Sequence, residues 1–395
     1  SYIDFSSFLL KPMKNQSYED LDEFQVTSKG VKLTENVLDL KIYQDAFSPF
    51  MNAELQLFDS EQLIRNIKIG DTVQVKMKTK QNKETDGAFL MGFVITNILN
   101  RFDEKERSVG YSLILNDKGL QKDLTSRVTE AFTDKESAQV LQDLMQKCSG
   151  TLYKSYREPP KNKISYIAPN VSPLTALYTI LRATAPKRDY LFFCGDTSLH
   201  GNPKYYLLSL SDMEDKPAEI TFSQQLSNAM TYQGNHNLHF AHLHFEGEKD
   251  TLYTMAGLHG ASVNVFSVSD KKFTTYGDNQ ANIMYISKID KVFDEGVSLN
   301  ESVETWALEA KKAMLTPTLT SVMFSTHGFC KSHSLLGENI YIKYLDHDIK
   351  NRAYNEDKDF KQQKFFVTAV THHVNATKKY RNSFRASAWQ VRQNS

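Results

Sequence analysis

The chain has 395 residues, of which 40% are hydrophobic and 24% are charged, and its 47 Lys and Arg residues balance its 47 Asp and Glu residues. This length exceeds one ordinary hydrophobic core and predicts about two to four domains. The neutral net charge does not indicate a nucleic-acid or membrane partner, so any such contact needs a local patch. No apolar stretch approaches the roughly 20 residues of a bilayer span, and the first residues lack a signal-peptide pattern, which predicts a cytosolic product without membrane insertion.

The first 117 residues divide into an arm and a predicted barrel. Residues 1–35 mix aromatic and polar residues without a sustained period, and we expect an extended arm that docks onto another surface. Residues 36–117 contain two alternating runs, Ala53 to Phe58 and Thr72 to Met77, which predict strands with one buried face. Gly70-Asp71 lies between them and favours a tight reversal, because glycine tolerates a positive φ and aspartate bonds its own backbone.

A hairpin follows in the same segment. The apolar runs Phe89 to Leu99 and Tyr111 to Leu115 flank a charged tip, Arg101 to Arg107. This pattern is typical of two antiparallel strands with a solvated loop. Because a small antiparallel sheet must protect its edges, we predict that residues 36–117 form a β-barrel.

Residues 118–215 predict an intervening α+β domain. Thr133 to Glu136 matches a capping box, and the apolar spacing after it predicts a helix ending near Gly150. Ser172-Pro173 is typical of the start of a second helix. Asp189 to Gly195 is rich in aromatic residues and predicts a buried strand, whose hairpin partner is Lys204 to Leu210.

The last part of the chain repeats the first barrel. Leu335 to Tyr344 carries Gly337-Glu338 before an alternating run, as Ile67 to Met77 carries Gly70-Asp71. Phe365 to Thr371 resembles Gly92 to Ile98, and a basic tip again precedes the last strand. Features repeated in the same order indicate an internal duplication. We predict a second barrel from residues 216–250 plus 315–391.

Residues 251–314 interrupt that second barrel and predict an inserted α+β domain. Short strands are expected at Ser262 to Val268 and at Met284 to Ile289, with a closing helix at Asn300 to Met314. The complete fold prediction is therefore an α+β, mainly β chain, with two related antiparallel β-barrels and two inserted or intervening α/β domains.

Candidate chemistry is sparse. The cluster His236, His239, His242 and His244 fits either a metal site or a polar strand face, and the absence of an acidic or cysteine ligand at fixed spacing favours the polar face. His372-His373 is a weaker candidate of the same kind. Cys148, Cys194 and Cys330 are widely spaced and predict reduced, buried thiols, although Cys330 also lies near His327 and His333.

The sequence contains none of the common catalytic motifs, neither a nucleophile elbow, nor a phosphate-binding loop, nor a His-Glu-x-x-His motif. We therefore expect no enzymatic activity and no cofactor. A glycan-binding or metal-binding β-protein that uses the histidine and aromatic strands near residues 236–245 is the alternative from another class.

The chain resembles the baseplate hub proteins of contractile-tailed phages. Ala53 to Ser60, with Gly70-Asp71 after Asn66 to Ile69, resembles their first tube-like barrel. Tyr190 to Phe193 resembles a strand of their intervening domain, and Phe366 to Val370 with the stretch from Lys379 onward resembles their final hairpin. The N-terminal part of type VI secretion spike proteins is similar too. The resemblance covers most of residues 36–391, and it departs from the family where Glu, rather than Asp, follows Gly337.

The resemblance implies a structural virion protein of the tail baseplate, assembled in the host cytoplasm. Its implied form is a homotrimeric ring that adapts a six-fold tail tube to a three-fold central spike and surrounds part of the DNA ejection channel. The implied partners are further copies of the chain, the central spike protein, tube or tube-initiator proteins, other baseplate proteins, and DNA that passes without sequence-specific binding. A hub or spike component of a bacterial contractile injection system is the closest alternative.

Site residues follow from the same resemblance and from the turn pattern. The structural turns are Gly70, Asp71, Gly337 and Glu338. We expect contacts with neighbouring subunits or the tube at Phe58, Arg101, Lys105, Arg107, Lys378, Lys379, Tyr380 and Arg381. Because DNA must slide through the ring, we expect a neutral or acidic lumen, with the basic tips directed toward neighbouring subunits.

Overall fold

A computed structural model of the chain describes residues 19–79, 88–105, 108–155, 159–160, 162–182, 184, 190–224, 239–245, 262–267, 271–277, 284–288, 321–326, 335–345 and 360–389. In these ranges strands predominate and the few helices are short, so the chain is mainly β within the α+β class, as the sequence predicts.

The first part of the chain supplies seven strands and two short 3-10 helices, Thr34–Asn36 and Leu63–Asn66. Buried and half-buried residues alternate along the fourth and fifth strands, as the period-two pattern predicts. The strands are β1 (Glu19–Ser28), β2 (Val31–Lys32), β3 (Val37–Asp45), β4 (Asn52–Asp59), β5 (Thr72–Thr79), β6 (Phe89–Lys105) and β7 (Ser108–Asn116).

The next part, which we call the intervening unit, mixes helices and strands. Its elements are α1 (Lys118–Thr125), β8 (Val128–Glu136), α2 (Ser137–Lys147), β9 (Thr151–Ser155), β10 (Lys163–Val171), α3 (Pro173–Arg182), β11 (Tyr190–Thr197), β12 (Pro203–Ser209) and α4 (Leu210–Asp215). Its strands form a two-stranded ribbon, β10-β8, and a three-stranded sheet of order β11-β12-β9.

The remaining strands belong to two sheets. Three of them, β15 (Ser262–Ser267), β16 (Lys272–Gly277) and β17 (Met284–Lys288), form a separate small sheet. The others join the large sheet, and they are β13 (Ile220–Gln224), β14 (His239–Phe245), β18 (Ser321–Thr326), β19 (Asn339–Leu345), β20 (Phe360–Asn375) and β21 (Lys379–Ala388).

The large sheet has thirteen strands and closes on itself twice. The first ring runs β3-β4-β7-β6-β5-β1 and returns to β3 through β21 and β20. The second ring runs β19-β13-β14-β18-β21-β20 and closes by the pairing of β20 with β19. A closed ring of strands is a barrel, since each strand has a neighbour on both sides over at least part of its length. The hairpin β20–β21 therefore belongs to both barrels.

Two hydrophobic cores fill the two rings, and each of them continues into the intervening unit. The first contains residues such as Leu55, Val75 and Leu113, and the second contains residues such as Phe222, Phe324 and Phe384. Strand β11 contributes to both, because its alternate side chains point in opposite directions: Phe192 belongs to the first core and Phe193 to the second. The buried strand that the sequence predicts at this position is confirmed, and it holds the intervening unit between the rings.

Several predicted hairpins and helices agree with the structure. β6 pairs antiparallel with β7, and β11 pairs antiparallel with β12. The solvated tip expected at Arg101 to Arg107 is shorter than predicted, because β6 continues to Lys105 and β7 begins at Ser108. α3 begins at Pro173, and the hydroxyl of Ser172 accepts a hydrogen bond from the amide of Thr175 at 3.3 Å. The expected helix at residues 300–314 lies outside the described residues.

Other predictions are wrong in detail. The capping box at Thr133 to Glu136 does not exist, because these residues end β8 and Asp134 has a φ of 51°. The arm predicted over residues 1–35 includes β1, which pairs with β5 in the first ring. The second barrel is not purely antiparallel, since β13 runs parallel to both of its neighbours.

Candidate functional site

The turn before β5 has a defined hydrogen-bond pattern. Gly70 adopts a φ of 93°, and its amide donates to the carbonyl of Ile95 at 2.8 Å. The amide of Ile95 donates back to the carbonyl of Asp71 at 2.9 Å. The Asp71 carboxylate accepts from the Lys68 amide at 2.9 Å and pairs with the Lys29 ammonium at 2.5 Å. The turn thus joins β5 to the middle of β6.

The turn before β19 repeats this pattern. Gly337 adopts a φ of 77°, its amide donates to the carbonyl of Val367 at 3.0 Å, and the amide of Val367 donates to the carbonyl of Glu338 at 2.9 Å. A bulge follows at the same point in both strands, between Ile95 and Asn97 in β6 and between Val367 and Ala369 in β20. The two turns are structurally equivalent.

The strand order around the two turns is also the same. The first ring contains β4-β7-β6-β5 and the second contains β18-β21-β20-β19, with antiparallel neighbours throughout both sets. Matching strand order, turn and bulge in one chain are the expected product of an internal duplication.

The surroundings of the two turns differ. A Cβ added to Gly70 would meet nothing within 4 Å, and the neighbouring Ile69 is 64% exposed. A Cβ added to Gly337 would lie 2.6 Å from Cζ of Phe193, and Leu336 is buried. Thus the intervening unit covers the second turn and leaves the first one open.

A buried polar network lies where the two rings join. Nε2 of His372 lies 2.9 Å from Oε1 of Gln44, and Nδ1 of His372 lies 2.6 Å from the Tyr380 hydroxyl. The Gln44 amide nitrogen donates to the carbonyl of Gly195 at 2.8 Å. Gln44 therefore presents its oxygen to His372, so Nε2 of His372 carries the proton and Nδ1 accepts from Tyr380.

This network connects three parts of the molecule. Gln44 lies on β3 of the first ring, His372 and Tyr380 lie on the shared hairpin, and Gly195 lies on β11 of the intervening unit. Burial lowers the pKa of His372 to about 3, so the ring is neutral at ordinary pH. The sequence indicates His372 only as a weak metal candidate. Its position in the alternation of buried Val370, His372 and Val374 indicates a core residue.

The expected contact residues have different environments. Phe58 is half-buried on β4, Arg101 and Lys105 lie in the second half of β6, and Arg107 lies outside the described residues. Tyr380 has 0% exposure and is a core residue, so it presents no surface to a neighbouring subunit.

The basic tip between β20 and β21 is partly tied to the first ring. Lys378 adopts a φ of 59° and its ammonium donates to the carbonyl of Val37 at 2.6 Å. The exposed Lys379 pairs with Asp20 at 3.6 Å, and Arg381 is half-buried. These residues hold β21 against the first ring, which the resemblance did not indicate.

The histidine and cysteine candidates do not assemble a reactive site in the described part of the chain. His242 and His244 are exposed on β14, while His236, His327, His333 and Cys330 lie outside the described residues. Cys148 and Cys194 are free and buried, as predicted. Burial raises the pKa of the Cys148 thiol to about 12 and that of Cys194 well above its usual value, so both thiols stay protonated.

Two further features are absent from the described residues. These residues contain no group of three or more His, Cys, Asp or Glu residues placed to hold a metal ion. None of their helices combines the length and apolar character that a bilayer crossing requires.

Comparison with known proteins gives matches at the level of structure only. No family model and no curated protein sequence matches the chain. A tail protein from Neisseria meningitidis aligns with a TM-score of 0.60 at 12% identity, covering 94% of this chain and 97% of that one. The 43 kDa tail protein of a Shewanella oneidensis prophage aligns with a TM-score of 0.60 at 9% identity, covering 93% and 98%.

A third structure comes from a bacterial secretion machine. It is an Escherichia coli component of the type VI secretion system that itself exhibits structural similarity to bacteriophage T4 tail proteins. It aligns with a TM-score of 0.51 at 12% identity, covering 93% of this chain and 77% of that one. The chain therefore has the fold of phage tail proteins and of this type VI secretion component.

Proposed function

We propose that this chain is a structural hub of a contractile phage tail baseplate. Three copies form a ring that adapts the six-fold tail tube to the three-fold central spike, and the ring surrounds part of the channel through which DNA leaves. The observation that carries this proposal is the repeat of one barrel within the chain, with the same strand order, turn and bulge. The fold shared with phage tail proteins supports it.

The physical argument rests on symmetry. A closed ring of three chains with two similar barrels each presents six similar units around its axis. One side of such a ring matches a six-fold tube, while its true three-fold symmetry matches a trimeric spike. An adaptor of this kind acts through interface area, and stable rings bury on the order of 2,000 Å² or more at each interface.

The proposal assigns no catalytic step to the chain. The thiols of Cys148 and Cys194 are buried and protonated, so they are poor nucleophiles. The buried imidazole of His372 is engaged by Gln44 and Tyr380. The proposed partners are other copies of the chain, the spike, tube or tube-initiator proteins, and DNA in transit. The proposed location is the tail baseplate of the virion, after assembly in the host cytoplasm.

The second candidate function is a hub component of a bacterial contractile injection system. The similarity to the Escherichia coli secretion component favours it. Both candidates use the same ring, so they differ in the cargo that passes through the channel and not in the geometry of the chain.

Light scattering combined with electron microscopy of the purified chain tests the ring. We expect a species of three times the 45.2 kDa chain mass, whose end-on class averages have three-fold symmetry and a strong six-fold component. A monomer at all protein concentrations, or a ring of another order, would overturn the proposal. A monomer that binds zinc or an oligosaccharide saturably at His242 and His244 would favour the glycan-binding or metal-binding class instead.

A further inference from the structure

Among the described strands, the second half of β6 has a neighbour on one edge only. The first half pairs with β5, and that pairing ends at Thr72 opposite Val94. From Val94 onward β6 pairs with β7 as far as Lys105. Among the described strands, no other neighbour lies beside Asn97–Lys105. A strand edge of this kind presents unpaired amide and carbonyl groups and is a template for another strand.

The equivalent stretch of the second ring is occupied. Leu99 pairs with Ser112 in the first ring, and Thr371 pairs with Ser383 at the matching position of the second. Beyond the bulge at Val367, β20 pairs with β21 on one side and with β3 on the other, from Ala369 opposite Asp45 to Asn375 opposite Asp39. The edge of β6 that no described strand occupies therefore corresponds to the edge of β20 that β3 occupies.

The counterpart of β3 in the second ring is β14. Leu40 of β3 pairs with Leu55, and Leu243 of β14 pairs with Phe324, which occupies the position of Leu55 in the second ring. On its other side β14 pairs with β13 only at His239 and Phe240. Its remaining residues, up to Phe245, have an open edge among the described strands.

The geometry points to a strand pairing between copies of the chain: the second half of β6 in one copy binds β14 of the next copy, antiparallel, as β20 binds β3 within the chain. This inference rests on the proposed ring and specifies how its subunits join. In the described part of the chain both halves of the junction are present, one as the edge of β6 that has no described neighbour and the other as the corresponding edge of β14. The occupant is therefore another copy of this chain.

The register of this junction follows from the equivalence. His373 pairs with Lys41 within the chain. Phe102 pairs with Gly110 in the first ring, as His373 pairs with Arg381 in the second. Phe102 and His373 are therefore equivalent. His244 pairs with Met323 in the second ring, as Lys41 pairs with Glu54 in the first. His244 and Lys41 are therefore equivalent. Phe102 of one copy is thus placed opposite His244 of the neighbouring copy, which gives the exposed histidines of β14 a structural location.

A pair of leucines on β6 provides a matched test. Leu99 lies on the open half and is 40% exposed, whereas Leu90 lies on the half paired with β5 and is 39% exposed. By the same register Leu99 has the position of Thr371, which pairs with Tyr43, and the residue that corresponds to Tyr43 in the sequence after β14 is Glu246. We expect L99E to raise the concentration at which trimers form by about tenfold, because like charges opposite each other on paired strands are destabilising. L90E should change it less than about twofold. Light scattering over a dilution series measures both, and equal effects of the two variants would overturn the pairing.

Cysteine cross-linking tests the register directly. Directly opposed residues of antiparallel strands have Cα atoms about 4.5–5.5 Å apart, which a disulfide spans. The double variant F102C with H244C should give covalent dimers and trimers under mild oxidation on a non-reducing gel. The wild-type chain should stay at the monomer position. Each single variant should give no covalent species larger than a dimer.

The outcomes separate this inference from the proposed function. A wild-type trimer whose double variant also forms trimers but yields no covalent trimer would overturn the strand pairing and leave the ring intact. A wild-type chain that stays monomeric at every concentration would overturn both.

Discussion

His372 is the residue on which three parts of the molecule meet. Its two ring nitrogens contact Gln44 and Tyr380, and Gln44 in turn holds the backbone of Gly195. A buried polar group without a partner costs about 1–3 kcal/mol, so a network in which each member satisfies the next specifies one arrangement of the three parts.

The acid sensitivity of the fold depends on this histidine. Its pKa is about 3 in the folded chain, against an ordinary value of 6.5. Between these values the unfolded state binds more protons at this residue, so the contribution of His372 to the free energy of unfolding falls as the pH falls from about 6.5 toward 3. We expect the free energy of unfolding of H372Q to depend less steeply on pH in this window than that of the wild type, by up to about 1.4 kcal/mol per pH unit. Urea unfolding between about pH 7 and pH 4 measures the slopes, and parallel curves for variant and wild type would contradict the assignment.

At the scale of elements, the two equivalent turns have the same backbone conformation but different surroundings. Gly70 and Gly337 both have a positive φ, which side chains other than glycine rarely adopt. The first turn is open, whereas Phe193 and Leu208 of the intervening unit lie against the second. The second ring is therefore positioned by a contact that the first ring lacks.

Alanine substitutions separate strain from packing at these turns. G70A should reduce the free energy of unfolding by about 1–2 kcal/mol through backbone strain alone. G337A carries the same strain and places a methyl group 2.6 Å from the Phe193 ring, so we expect a loss of about 3–5 kcal/mol. Denaturant unfolding of both variants provides the comparison, and equal losses would show that the Phe193 contact does not constrain the turn.

At the scale of the whole molecule, the two barrels are continuous with each other. β20 pairs with β19 over its first half and with β3 over its second half, while β21 lies beside it and contacts both rings. Two barrels that share a hairpin cannot separate without breaking that hairpin. We infer that they unfold as one cooperative unit.

Phe384 on β21 tests this coupling. It is 2% exposed and its ring lies 5.3 Å from those of Phe222 and Phe324 in the second ring. F384A should cost about 3–5 kcal/mol, and hydrogen exchange should accelerate in β4 and β7 of the first ring as well as in β18. As a control, F132A in the two-stranded ribbon should affect β8 and β10 most strongly. Unchanged protection of β4 and β7 in F384A would mean that the rings unfold independently.

The sequence by itself determined the features that depend on local period and local backbone. Strand and helix periods and a positive φ are local properties, so each can be recognised from fewer than about twenty neighbouring residues. The features of this kind are the alternation in β4 and β5, the hairpin of β6 and β7, the start of α3 and the repeated Gly-acid turn. The same residues supported the resemblance to tail proteins whose fold the chain has.

Only the tertiary structure decided which strands meet. β4 and β5 follow each other in the chain but do not pair, β1 belongs to the first ring and not to a free arm, and β13 lies parallel to its neighbours. The location of His372 and Tyr380 at the junction of the rings is also a tertiary result. Strand partners are selected by the burial of side chains that lie hundreds of residues apart, and no local pattern carries that information.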